Sequence, residues 1–224
     1  VIELTAIAHV ALIATGIGFV PIVVWRGFWL IEDWRHPEPR NRISAAFLTG
    51  MIAVPVVLSI EGLAATLMPY GYLLLYVWAL TEEVVKLALA WVFVLRNRAV
   101  DEPLDFPVYL ITVALGFAAV ENVLFLFAPL SVGSFAESAI TGNLRFIGPT
   151  LIHVLGAAII GGALAFSFFR ERASKIRYLV LGVILAATLH TYFNFLIITT
   201  GAGRILTVFL GVWVAIVCVL LALE

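Results

Sequence analysis

The stretch Thr81-Glu82-Glu83-Val84-Val85-Lys86 sits between YGYLLLYVWAL and LALAWVFVL. Two carboxylates and an ammonium inside a hydrocarbon-like run are expensive. A charge near a bilayer centre costs between ~2.5 and well over 10 kcal/mol depending on the measure, so such groups face a wet cavity or one another. Glu82 to Lys86 is i,i+4 and Glu83 to Lys86 is i,i+3, so on a helix the ammonium reaches either acid and lowers its burial cost. Two acids and one base still leave an acid uncompensated unless a proton, a histidine or a metal joins them. Other apolar runs supply further polar groups: Glu121 with Asn122, then His153, then His190 with Asn194, the last pair again at i,i+4.

This inventory suits hydrolysis in an apolar setting. Cleaving a peptide there needs a base for water, a stabiliser for the tetrahedral oxyanion and an acid for the leaving amine. A carboxylate withdrawn from water is a stronger base, which suits Glu82 and Glu83, and His153 or His190 can donate to the oxyanion. His153, His190 and Glu121 would equally suit a divalent metal such as zinc with water in the open position, leaving another Glu as base. No HExxH pattern is present, and a metal-free glutamate mechanism uses the same residues. There is no GxSxG serine elbow, and the single Cys218 has no ionisable neighbour in sequence.

Each group also has a plainer reading. A structural salt-bridge cluster accounts poorly for the surplus acid at Glu82 and Glu83, and an interhelical hydrogen bond would be credible for Glu121-Asn122, although function is favoured there too. His153 alone reads as a satisfied interhelical histidine, and His190 at similar depth moves both towards function. Lys86 and Asn194 read as supports. Glu61 counts ~27 Å along its span from the basic side and so falls at the opposite interface. His9 and His36 are set aside, and spacings such as Gly156–Gly161–Gly162 and Ala157–Gly161 read as close helix packing.

The elements that must position these groups follow from composition. Of 224 residues 63% are hydrophobic and 12% charged, far from the soluble balance of roughly half apolar and a quarter charged. Apolar runs of about 20 residues match a ~30 Å hydrocarbon core, and the period-2 alternation of a membrane barrel is absent. The expected fold is all-α: a polytopic membrane bundle of about seven transmembrane helices in one domain over 1–224. The spans fall at about 4–24, 43–68, 70–95, 107–129, 146–169, 178–200 and 204–223. The first run lacks a basic n-region and reads as a retained span. The joint at Pro69-Tyr70 is tight enough that spans two and three could share a re-entrant element. The small, polar stretch SVGSFAESAITGNLR (131–145) reads as a connector or a surface lid.

Basic residues set the orientation. Arg26, Arg35, Arg40, Arg42, Arg96, Arg98, Arg170, Arg172, Lys175 and Arg177 fall on one side, against Arg145 and Arg204 on the other. The rich side is expected to be cytoplasmic, which leaves the N-terminus outside and the C-terminus inside. Trp25, Trp29 and Trp34 on one side, and Tyr70 and Tyr72 on the other, fit interfacial belts. At ~1.5 Å per residue, Glu82 and Glu83 lie ~18–20 Å from their outer helix end and His153 ~10 Å from its own. Glu121, His190 and Asn194 lie ~21, ~18 and ~24 Å from the cytoplasmic ends. All fall between the midplane and the outer half, so four helices aim polar groups at one layer. A net charge of −1 with no basic patch and interleaved aromatics points away from nucleic acid. Nothing in the sequence assigns an oligomeric state.

The ordered set EEVVK (82–86), FAAVEN (117–122), HVLGAA from His153 and HTYFN (190–194) resembles the PrsW-type intramembrane proteases, whose pattern is EExxK, FxxxEN and two later His motifs. That family is related to the CAAX prenyl endopeptidases and the bacteriocin-immunity membrane proteases. The motifs run from Glu82 to Asn194, about half the chain. The resemblance implies an intramembrane endopeptidase of the prokaryotic cell membrane. Its substrate would be a single-span protein such as an anti-sigma factor, cut on the extracytoplasmic side. It makes Glu82 and Glu83 the catalytic acids and His153 and His190 catalytic or metal-binding, with Glu121, Asn122 and Asn194 completing the site, and leaves open whether a metal takes part. The alternative from another class is a proton- or ion-coupled transporter using Glu82, Glu83, Lys86, His153 and His190 as a relay. It would require two related halves and helices broken at the midplane, and neither is visible in the sequence.

Overall fold

The computed structural model describes residues 2–32, 38–97, 100–134, 140, 144, 148–199 and 205–223. Seven helices carry them: α1 (Ile2–Glu32), α2 (Arg40–Leu67), α3 (Tyr72–Ala90, running on through a π-helical turn at Trp91–Leu95), α4 (Asp105–Ser131), α5 (Pro149–Phe166), α6 (Arg172–Thr199) and α7 (Ile205–Leu223). No strand occurs among the described residues. Each expected span corresponds to one helix. Among the described residues, four of them, α2, α4, α5 and α6, are long and apolar enough to cross a bilayer, and the described parts of α1 and α7 supply the apolar stretches Ile7–Val20 and Leu206–Ala215. α3 falls outside that group because its 19 residues include Glu82, Glu83 and Lys86.

The helices overrun the hydrophobic runs that predicted them. α1 continues to Glu32, and α6 begins at Arg172, six residues before its apolar run. Backbone groups stay paired within a helix whatever the side chains are, so polar turns extend past the hydrocarbon into the interface. The Pro69-Tyr70 joint is a short turn between two separate helices, so α2 and α3 form a hairpin and share no re-entrant element. Across it, Trp78 Nε1 donates to the Glu61 carbonyl at 3.2 Å, and Tyr70 meets the Trp78 ring edge-on. Trp34, Arg35, His36, Arg98, Arg145, Arg204 and most of the stretch 131–145 lie outside the described residues, as do the side chains of Trp25, Arg26 and Trp29.

α4 and α5 form the centre. Along α4, Tyr109 to Ala119 is buried without a break, and it packs with Leu151, Ile152, Val154 and Leu155 of α5 in one apolar core. Small residues let the backbones approach. A Cβ on Gly50 of α2 would stand 1.9 Å from the Val113 carbonyl oxygen, and one on Gly116 of α4 would stand 2.0 Å from that of Phe47. Gly161 of α5 also lies close against Pro107 of α4, where a Cβ would stand 2.5 Å from the Pro107 Cα. At the basic end, Asp105 Oδ2 accepts the Asp101 and Glu102 N–H groups, each at 2.8 Å, closing the turn into α4. The Tyr109 hydroxyl donates to the Glu38 carboxylate just before α2. The outer surface is apolar, with Leu12, Leu63, Leu67, Leu181 and Leu210 all exposed, which suits lipid and would be an aggregation surface in water.

Candidate active site

Four helices bring the ionisable groups together. Glu82, Glu83 and Lys86 come from α3, Glu121 from α4, His153 from α5 and His190 from α6. Burial is deep: Glu83 and His153 are each 1% exposed, His190 3%, Lys86 4% and Glu82 7%. Measured from the helix ends away from the basic clusters, His153 is four residues in from Pro149 and Glu82 ten from Tyr72. His190 is nine residues from Thr199 and Glu121 ten from Ser131. At ~1.5 Å per residue these depths are ~6–15 Å.

The two adjacent acids have different surroundings. Glu83 Oε1 accepts from Lys86 Nζ at 2.8 Å and from His190 Nδ1 at 3.2 Å. Behind it, a Cβ on Gly156 would stand 3.2 Å from Glu83 Oε2, so this glycine of the small-residue pattern gives the carboxylate its room. Glu82 instead lines a cavity of about 610 Å3 together with Glu121, His153, His190 and Asn194. Glu82 Oε2 is buried and has no hydrogen-bond partner among the described residues. It lies 3.7 Å from His153 Nδ1 and 3.9 Å from His190 Nε2, and the two imidazole rings are perpendicular with centroids 5.0 Å apart.

The network assigns the tautomers. Lys86 Nζ approaches His153 Nδ1 at 3.3 Å and has only protons to offer, so that nitrogen is an acceptor. His153 Nε2–H then donates to Glu121 Oε2 at 2.9 Å. Glu83 fixes the His190 proton on Nδ1, which leaves the Nε2 lone pair facing Glu82. Glu82 Oε2 and the His190 Nε2 lone pair thus face one another with no donor between them, beside a His153 Nδ1 that accepts from Lys86. Buried acceptors so arranged call for a proton, a water or a cation.

The donor set fits a divalent metal. Glu82, His153 and His190 each offer one ligand atom, all within 4.8 Å of one another, and two histidines with one carboxylate is a zinc-type set. Glu83 and Glu121 hold the outer nitrogens, as carboxylates do behind metal-ligating histidines. Sequence reasoning grouped Glu121 with the histidines as the metal set, whereas the structure brings Glu82 to that position and Glu121 to the far nitrogen of His153. Asn122 turns away from the cavity, its amide on Thr150 Oγ1 at 3.2 Å and near the Gly18 carbonyl at 3.5 Å. It ties α4 to α5 and α1.

Glu61 is corrected. Depth counting sends it to the far interface, but it lines the same cavity. A 28-residue helix is longer than the hydrocarbon is thick, so counting from the cytoplasmic end exaggerates depth. Counting outward from the Pro69-Tyr70 turn instead sets Glu61 opposite Trp78, one turn from Glu82, and would have found it.

Seven helices with an apolar exterior, enclosing carboxylates and imidazoles around one cavity, define an α-helical integral membrane protein with a hydrolase-type site. The description "PrsW family intramembrane metalloprotease" matches residues 38–222, and the chain belongs to that family. It is 30% identical over 187 residues to Protease PrsW of Geobacillus kaustophilus, covering 81% of this chain and 78% of the relative. Protease PrsW of Bacillus subtilis is 25% identical, covering 80% of each chain. That of Clostridioides difficile is 25% identical, covering 81% of this chain and 77% of the relative. No solved structure matches. The protein is therefore an intramembrane protease, and this membership does not favour the transporter alternative.

Proposed function

We propose that this chain is a single protease domain that cuts a single-span membrane protein in the outer half of a prokaryotic cell membrane, with its C-terminus cytoplasmic. The observation that carries the chemistry is the convergence of the unpartnered Glu82 Oε2 with His153 Nδ1 and His190 Nε2 at the cavity wall. Depth supports the side of cleavage, because the site lies nearer the helix ends remote from Arg40, Arg42, Arg96, Arg170, Arg172, Lys175 and Arg177.

In this reading Glu82 Oε2 takes a proton from the attacking water as oxygen adds to the scissile carbonyl carbon. The C–N bond breaks, and the same proton passes to the leaving amine. Asn194, one turn beyond His190 and on the cavity wall, donates its amide to the developing oxyanion. Glu83 and Glu121 orient the two imidazoles, and Lys86 balances Glu83. Alternatively, Glu82, His153 and His190 would hold a zinc-like ion, which when bound supplies a Lewis acid for the carbonyl and acidifies its water, and another Glu then serves as the base. Lys86 stands on the same His153 nitrogen and would compete with the ion for it.

The test is cleavage of co-expressed single-span candidates, with the cut site mapped. Glu82→Gln and His190→Ala are expected to abolish cleavage while the purified variants remain folded. Normal cleavage by both would overturn the assignment.

A further inference from the structure

Of the acids around the cavity, Glu61 takes no part in the chemistry above. It is partly buried, and no ion pair or side-chain hydrogen bond from a described residue holds its carboxylate. Its backbone is fixed, because its carbonyl accepts from Trp78 Nε1 at 3.2 Å. Tyr70 and Trp78 line the cavity beside it, with ring centroids 6.4 Å apart and edge to face. Apolar side chains, Leu75, Leu124 and Phe125 among them, line another part of the wall, and Glu82 and Glu121 lie deeper in it. A carboxylate without a cationic partner among the described residues, flanked by two aromatic rings, is the chemistry of a cation subsite: the charge attracts an ammonium or guanidinium, and the ring faces hold it.

We propose that Glu61, Trp78 and Tyr70 form a specificity subsite for a Lys or Arg side chain of the substrate. This deepens the protease reading and rests on it. Glu82, which is buried, unpartnered and in the same cavity, marks where the scissile bond sits. Trp78 is four residues before Glu82 on α3, a rise of ~6 Å. An extended peptide advances ~3.3 Å per residue and points alternate side chains the same way. The recognised cation therefore lies two residues from the cut. The apolar wall takes the rest of a membrane-spanning segment, and a long cationic side chain near its outer end is tolerated because its stem stays in hydrocarbon.

The test is binding of fluorescent single-span peptides of ~20 apolar residues to the full chain in phosphatidylcholine nanodiscs, with one Lys moved residue by residue through the outer half. Met replaces Lys in the neutral control. At one position the Lys peptide is expected to bind about tenfold more tightly than the Met peptide. That ratio falls to about one in Glu61→Gln and is partly kept in Glu61→Asp. It reverses in favour of a Glu-bearing peptide in Glu61→Lys. Reading a ratio separates recognition from any general loss of folding. The proposal is overturned if no Lys position improves binding, or if the preference survives Glu61→Gln. Cleavage of the same peptides is followed in parallel. A Glu61-dependent preference without cleavage upholds the subsite and removes the protease chemistry, whereas cleavage with no Lys preference does the reverse.

Discussion

Lys86→Met is the most informative single perturbation of the site. It keeps the length of the side chain and removes its charge. Lys86 Nζ lies 2.8 Å from Glu83 Oε1, and the two side chains are 5% and 1% exposed. Without the ammonium, Glu83 retains only the His190 Nδ1–H at 3.2 Å. Glu82, one residue away, has no donor of its own to spare. Removing one partner of a buried ion pair leaves a buried charge and costs about 3–5 kcal/mol, although the intact pair is worth little net. For a chain of this size that is a fall in melting temperature of roughly 6–20 °C. Glu83→Gln alone strands the ammonium and should cost a similar amount. The double variant Lys86→Met/Glu83→Gln strands no charge that wild type pairs and should stay within about 1.5 kcal/mol of wild type. Reversible unfolding in mixed detergent micelles reads all four proteins. If Lys86→Met lies within about 0.5 kcal/mol of wild type, or if the two single costs simply add, then charge compensation is not what Lys86 provides.

Three further outcomes follow from the same geometry. Glu83→Gln should lower zinc affinity by roughly 10–100-fold, measured by competition with a chromogenic chelator, because the carboxylate that sets the His190 tautomer is lost. Purified wild-type protein should carry one ion per chain by elemental analysis, lost in His190→Ala, and full activity in metal-free protein would exclude a role for it. Gly116→Val should cost at least about 1–3 kcal/mol of stability with little effect on the chemistry of whatever folds, since even the Cβ would sit 2.0 Å from the Phe47 carbonyl oxygen.

The layer of the site was legible in the sequence because helical rise converts residue number into depth. EEVVK, Glu121, His153 and His190 count to one level, and the structure joins them by hydrogen bonds. The span order was legible for the same reason, since each apolar run became one helix. The helix ends were not, because polar turns such as those opening α6 at Arg172 remain helical outside the hydrocarbon. Glu61 escaped notice through the same assumption, as a long helix counted from the wrong end overshoots. The α2–α3 turn, plain in the sequence at Pro69, is a reference nearer the site.

What no spacing could resolve is which of two neighbouring carboxylates faces the cavity. Consecutive residues on a helix point about 100° apart, so Glu82 and Glu83 cannot share surroundings, but the sequence does not say which way α3 is turned. The choice is made by groups far away in the chain. Gly156 on α5 clears space for Glu83, and His190 on α6 and Lys86 hold it there. Glu82 is then left on the cavity wall near a nitrogen of each imidazole, 3.7 Å from His153 Nδ1 and 3.9 Å from His190 Nε2. One glutamate is bound so that the other can stay unpartnered, and an unpartnered carboxylate is the one free to take a proton or a metal. Two adjacent acids are therefore a single device. The surplus charge that makes the run so costly in a bilayer is the part that is left available for chemistry.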